Sequence, residues 1–471
     1  MGKNKEHSIV KKTAIYAVGT LSSNLLKVLI LPIYAGYILP TDLGRFDYQN
    51  TIASFLAPIM FLAVWEGILR FGLNENNREK LTSLISTTVF FGLGATIFWA
   101  IILPFPYLRI FNTLPYVHLF IISLLLQPIL STLQIAVRGI KESKNYVISG
   151  IISTFVNVGL LIFLVVFLRL GLLGLLVSFL IGNLVNVLYL LFGSSLLKYI
   201  SFRAIDRNLL KKLLKFSWPL IFNLVFVWFL GGYVMFYLGS FVGSDETGLF
   251  SFANKFASIV AMFGSVLGMA TIEDTIITSE NDNFIESFAK KNTEMFKMFL
   301  NVGILLLPVI GMYYFTLGNS AYQSTLIIVP LLLMASIFQA MATNVGNIMI
   351  VHQKTKAIAV ASLLVGIFNA IFCFVGYHFL GLTGVCIAYL FASFLLFLFR
   401  YKMGQKIQSY NLKWKSIVIL CIVFGALGLL IQFENIIINA MLVILIFVFE
   451  LLLYRKNIKQ ILKMFRISKG R

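Results

Sequence analysis

The sequence predicts an all-α polytopic membrane protein of about 14 transmembrane helices: two pseudo-symmetric six-helix lobes followed by two further C-terminal helices. Three observations carry this. Of 471 residues, 59% are hydrophobic and 12% charged, whereas a soluble domain is about 45–50% apolar and about 25% charged. Apolar stretches of about 20 residues, the length that crosses a bilayer, recur along the chain. The chain also repeats itself. Gly44–Ser54 (GRFDYQNTIAS) stands over Gly248–Ser258 (GLFSFANKFAS) at an offset of 204, with Gly, Phe, Asn, Ala and Ser matching.

The spans fall near 13–38, 47–69, 82–104, 116–138, 146–168, 172–193, 216–240, 249–271, 295–316, 325–350, 357–379, 383–399, 415–433 and 436–454. Between the first two, Pro40 is expected to stop one helix and Thr41 or Asp42 to cap the next. The repeat continues beyond its first motif. Lys141–Lys144 followed by Asn157 parallels Gln353–Lys356 followed by Asn369, and Leu170–Gly174 parallels Leu380–Gly384. The expected division is therefore 1–193 for the first lobe, 194–215 for a basic cytoplasmic linker, 216–402 for the second lobe, and 403–471 for helices 13 and 14 with a basic tail. An even number of spans before the second copy gives both copies one orientation, related by an axis along the membrane normal.

Charge follows the same alternation. Of the 38 Lys and Arg residues, 33 fall in alternate connections and the two tails, while Arg45, Arg109 and Arg169 fall on the opposite side. The positive-inside rule then places both termini in the cytoplasm. This distribution explains the net charge of +20 without nucleic acid, for no basic segment is interleaved with stacking aromatics. The basic connections suit anionic lipid headgroups. Cys373, Cys386 and Cys421 lie inside spans without metal-ligand spacing. The four His residues are scattered, and no phosphate-binding loop of the G-x-x-x-x-G-K-[ST] type occurs. No cofactor or metal is expected. The extracytoplasmic connections are short, which argues against a membrane-bound glycosyltransferase or polymerase.

What remains is polarity within the spans. A lysine at the bilayer centre costs about 2.5–3.5 kcal/mol on insertion scales and so faces a protein interior or water. Lys27, Asn24 and Tyr34 share one face of the first span by helical spacing. Lys255 sits beside Asn254 in the eighth. Asn50 and Ser54 occupy repeat-related positions in the second span, where Tyr48 stands over Phe252, with Arg45 and Asp47 at its outer end. Eight of these residues (Lys27, Lys255, Asn24, Tyr34, Arg45, Tyr48, Asn50, Asn254) are the candidates for a cationic cavity that receives an anionic headgroup. Asp47, Glu66 and Arg70 are candidates for coupling or gating.

Leu31-Pro-Ile-Tyr followed by Leu39-Pro-Thr-Asp-Leu-Gly resembles the first-helix signature of bacterial polysaccharide flippases, with a turn one residue shorter than the common pattern. That superfamily also holds multidrug-and-toxin extrusion (MATE) transporters and the lipid II flippase. The resemblance implies a MATE-like two-lobed fold working by alternating access in the bacterial cytoplasmic membrane, not an enzyme. Its implied substrate is undecaprenyl-pyrophosphate-linked oligosaccharide for O-antigen, capsule or exopolysaccharide, and other polysaccharide assembly proteins are implied partners. Basic residues on helices 1 and 8 are implied in the cavity, where this chain has Lys27 and Lys255. The alternative is a cation-coupled drug antiporter of the same fold; its relatives often carry an acidic residue in helix 1, and this chain has none there.

Overall fold

The computed structural model describes residues 30–72, 75, 77–103, 115–278, 283–317, 320–352, 354–433 and 435–453. They form 14 α-helices and no strand: α1 Leu31–Tyr37, α2 Pro40–Met60, α3 Glu66–Gly72, α4 Arg78–Ile102, α5 Val117–Gly139, α6 Ser143–Leu161, α7 Gly171–Phe192, α8 Arg207–Tyr237, α9 Ser244–Thr278, α10 Phe284–Leu317, α11 Val329–Val351, α12 Thr355–Ile407, α13 Trp414–Leu430 and α14 Ile436–Leu453. Two π-helical segments, Ile162–Phe167 and Leu238–Val242, extend α6 and α8. Nine of the described helices are long and apolar enough to cross a membrane. The chain is a multi-pass membrane protein.

Several boundaries depart from the sequence expectation. Pro40 stands two residues past Ile38, the C-cap of α1, and at the same time opens α2 at the first position, where its missing N–H costs nothing. No side chain caps α2. Thr41 donates instead to Asp245, and the Asp42 carboxylate accepts from the Leu172 N–H at the start of α7. The expected second span, 47–69, is broken. Pro58 cannot donate within α2, and the chain turns over 61–65 with positive φ at Leu62 and Ala63 before α3 begins. The Trp99 indole donates to the Met60 carbonyl left free at that break. Pro32 and Pro330 lie at helix starts, whereas Pro58, Pro128 and Pro308 are interior.

The repeat is visible in the backbone. Helix α12 contains two expected spans, 357–379 and 383–399, and at 53 residues would be about 80 Å if straight. It folds back at Gly381, whose φ is 58° and ψ −140°. The equivalent position in the first copy, Gly171, also has positive φ, 50°. Next to each turn a glycine admits its neighbour. A Cβ on Gly174 would come 2.8 Å from Val165 Cγ2, and one on Gly384 would run into the Gly376 carbonyl oxygen.

Two compact units divide the chain, residues 1–255 with 355–395 and residues 256–354 with 396–471. This is a different partition from the two six-helix lobes. In the first unit, the core runs through Phe61, Trp65, Phe120 and Leu124 and through Ile68, Ile85, Leu133 and Leu190. In the second, α10 is the centre. Gly303 leaves room for Phe424 of α13 and Gly311 for Asn439 of α14, so the two C-terminal helices are seated on α10. Phe296, Phe338, Phe397, Tyr401 and Trp414 form an aromatic cluster beside it.

Candidate functional site

The starts of α2 and α9 lie against each other within the first unit, and they meet through residues that are each other's repeat mates. Thr41 hydrogen-bonds Asp245, 204 residues on. A Cβ on Gly44 would run into the Ser244 carbonyl oxygen and come 2.7 Å from the Gly248 nitrogen; one on Gly248 would run into the Pro40 carbonyl oxygen. One turn further, Asp47 accepts from the Ser251 hydroxyl, again at an offset of 204. The approach of α2 to α9 thus joins corresponding positions of the two copies of the sequence repeat, and glycine at 44 and 248 is what allows the two backbones to meet.

The charged centre is the next turn. Lys255, the repeat mate of Thr51, donates from Nζ to Asp47 Oδ2 at 3.0 Å. The two side chains are 23% and 19% exposed, so the bond is a charge-assisted one in a mostly desolvated setting. Lys255 Nζ also lies 5.0 Å from the centroid of the Tyr34 ring, a cation–π contact. Asp47 thus holds Lys255 and Ser251 at once, while Tyr34 covers the ammonium.

Aromatic residues line the neighbouring face. Tyr48 shares a hydrogen bond with Ser240 at 2.8 Å and stacks on Phe236. Trp228 of α8 donates to the Thr51 carbonyl, packs against Phe55, and meets Phe229 and Phe236 edge-on. Behind it, Asn369 donates to the Phe229 carbonyl.

Of the sequence candidates, the structure brings Tyr34, Asp47 and Lys255 together and sets Tyr48 close by on α2. Arg45, Asn50 and Asn254 are half-buried on the same two helices and are hydrogen-bonded to no described side chain. Asn24 and Lys27 lie outside the described residues. Glu66 accepts from the Trp65 indole at 3.2 Å rather than pairing with Arg70; the break over 61–65 places this pair on the separate short helix α3. Ser251, Asp245 and Trp228 were not among the candidates. The first two were within reach of the sequence, since Ser251 and Asp245 stand opposite Asp47 and Thr41 in the repeat alignment. Among the described residues no cluster of three or more His, Cys, Asp or Glu side chains could hold a metal.

The profile of a family described as polysaccharide biosynthesis protein matches residues 9–272, which include every residue described for this site except Asn369. The chain belongs to that family. No individual curated sequence matches it. Solved structures share its fold. A lipid II flippase MurJ in an inward closed conformation aligns with TM-score 0.67 at 16% identity, covering 94% of this chain and 100% of that one. An inward-facing multidrug resistance MATE family transporter of the MOP superfamily aligns with TM-score 0.63 at 16% identity, covering 86% and 98%. An outward-facing structure of a transporter of that family gives 0.57 at 16% identity, covering 87% and 96%. At this identity the likeness establishes the fold.

Proposed function

We propose that this protein flips undecaprenyl-pyrophosphate-linked oligosaccharide repeat units from the inner to the outer leaflet of the bacterial cytoplasmic membrane, for cell-surface polysaccharide assembly. The observation that carries the reading is Lys255, a mostly buried cation on α9 of a polysaccharide biosynthesis family member, held by the Asp47 carboxylate. The lobes 1–193 and 216–402 rock against each other, with 194–215 as the linker and both termini in the cytoplasm.

By the charge rule, the starts of α2 and α9 face outward. Their glycine contact and the Thr41–Asp245 bond then close the outer end of the pathway. The prenyl tail stays in lipid while the pyrophosphate enters from the cytoplasmic side. There it competes with Asp47 for Lys255; Lys27 on the first span supplies a second charge. Lys255 leaving Asp47 loosens the same carboxylate that grips Ser251, so binding of the anion and opening of the outer contact are coupled. A ligand moves such an equilibrium only by its difference in affinity for the two states, and Lys255 supplies that difference. Tyr34, Tyr48, Asn24, Asn50 and Asn254 offer rings and amides to sugars, and Arg45 lies toward the exit. A negative interior drives an anionic headgroup outward by about 2.3 kcal/mol per charge per 100 mV.

The test is accumulation. A deletion strain is expected to lose surface polysaccharide and to accumulate undecaprenyl-linked oligosaccharide on the inner leaflet, with Lys255→Arg restoring export and Lys255→Ala failing to restore it. Normal polysaccharide with altered drug sensitivity would instead favour a cation-coupled antiporter.

A further inference from the structure

The connection between α7 and α8 is not a free loop. Its backbone is tied to the side of α4: Ser86 donates to the Tyr199 carbonyl and accepts from the Ser201 N–H, and Thr87 accepts from the Asp206 N–H. Ser86 lies eight residues past the start of α4 at Arg78, about 12 Å along the helix axis. Phe202 packs edge-on against Phe90, one turn further along α4, at 5.4 Å. Yet Phe202 is 75% exposed. A ring left uncovered by protein beside an apolar helix long enough to span a membrane is available to acyl chains.

Around it the charge is predominantly positive. Arg203 is exposed, and Arg207, Lys211 and Lys215 follow at four-residue spacing, all exposed, so that they form one ridge along the first turns of α8. Asp206 stands among them, its Oδ1 capping α8 by accepting from the Asn208 and Leu209 N–H groups, and its single negative charge leaves the four cations in excess. None of the four cations is in an ion pair with a described residue. The ridge then passes into Trp218, 59% exposed and edge-on to Phe222 at 5.7 Å. Cations giving way to an aromatic and then to apolar surface is the profile of a segment anchored at the membrane–water boundary.

We infer that the start of α8 and the linker before it form a binding site for an anionic phospholipid. The phosphate is held by Arg203, Arg207 and Lys211, and the acyl chains lie along Phe202 and Trp218. A soluble acidic protein would satisfy the charges but not the uncovered ring, and a zwitterionic lipid would satisfy the ring but leave the cations uncompensated. The site lies on a different segment from Lys255 and does not depend on what is flipped.

Two measurements on the full-length protein decide it. In nanodiscs, phosphatidylglycerol carrying a photoreactive headgroup is expected to label residues 202–218 of the unaltered protein above the other basic connections. In native mass spectrometry, the protein is expected to retain phosphatidylglycerol over phosphatidylcholine. Arg203→Gln/Arg207→Gln/Lys211→Gln should lower phosphatidylglycerol retention by about fivefold for each charge removed and leave phosphatidylcholine unchanged. Equal retention of the two lipids by the unaltered protein, or labelling spread over the other connections with none at 202–218, overturns the inference. The labelling arm needs no variant and stands even if the triple variant does not fold.

Discussion

Asp47 is the residue on which the account turns, because it holds two partners that have different reasons to leave. Its bond to Ser251 joins the repeat mates, and its bond to Lys255 neutralises the cation that we propose receives the substrate's anionic headgroup. Asp47→Asn should therefore release Lys255 early and weaken the α2–α9 contact together. Leaving a mostly desolvated charge without its partner costs about 3–5 kcal/mol at a fully buried site, and less here, where both side chains keep about a fifth of their exposure. The expected outcome is a folded protein with surface polysaccharide reduced at least about tenfold. Unchanged export in both Asp47→Asn and Lys255→Ala, with normal expression, would remove the pair from the mechanism. The sequence made Lys255 conspicuous because a lysine within an apolar span has no inexpensive resting place. It did not make the Asp47 bond legible, since nothing in a linear pattern tells which carboxylate lies opposite until the repeat offset is taken as a contact rule.

At the scale of elements, backbone geometry and capping set the costs. Gly171 and Gly381 hold positive φ in equivalent turns. At Gly381 an added Cβ meets nothing within 4 Å, so Gly381→Ala should cost only the conformational term, about 1–3 kcal/mol. At Gly171 the Cβ also comes 2.7 Å from Asp42 Oδ2, the carboxylate that caps α7, so Gly171→Ala should lower Tm further. Thermal unfolding of the two variants compares them directly, and equal losses would mean that the Asp42 contact is immaterial. Turn positions were readable from the paired Leu-Gly-Leu-x-Gly motifs. The break after Met60 was not, because the hydropathy of 47–69 runs on without interruption and only Pro58 marks it.

A second element-scale test uses Glu142, in the short connection before α6. Burial pushes its carboxyl up, but hydrogen bonds from Ser195 and Asn145 and the nearby Lys198 outweigh this and hold it below its ordinary 4.5. A carboxyl lowered in the folded state adds stability above its unfolded pKa, and that contribution is lost as pH falls through the lower folded value. The Tm difference between the unaltered protein and Glu142→Gln should be constant above about pH 5 and shrink as pH falls below 4.5. A difference that grows on acidification would contradict the assignment.

For the whole molecule, most of the architecture was legible because the bilayer reduces fold to span length and charge sidedness, and because the repeat survives in sequence. The helical class and the doubled turn motifs follow from those signals, whereas the packing of the two C-terminal helices on α10 does not. The function of the α2–α9 approach does not either, as it depends on which two helix starts approach closely enough to need glycine. Gly248→Val tests this at the largest scale. With the Pro40 carbonyl in the way of any side chain, the outer contact should fail to close, exposing a cysteine placed at Ser251 to a membrane-impermeant thiol reagent from outside. Protection equal to that of the parent would mean that the approach is dispensable.

The most direct measurement locks that contact. Thr41 and Asp245, hydrogen-bonded between the two copies of the repeat, are replaced in Thr41→Cys/Asp245→Cys and oxidised in cells. The account predicts that cross-linking abolishes export of surface polysaccharide, that lipid-linked oligosaccharide accumulates on the inner leaflet, and that reductant restores both. Full export by the cross-linked protein would show that these helix starts never need to part, and would contradict the gate.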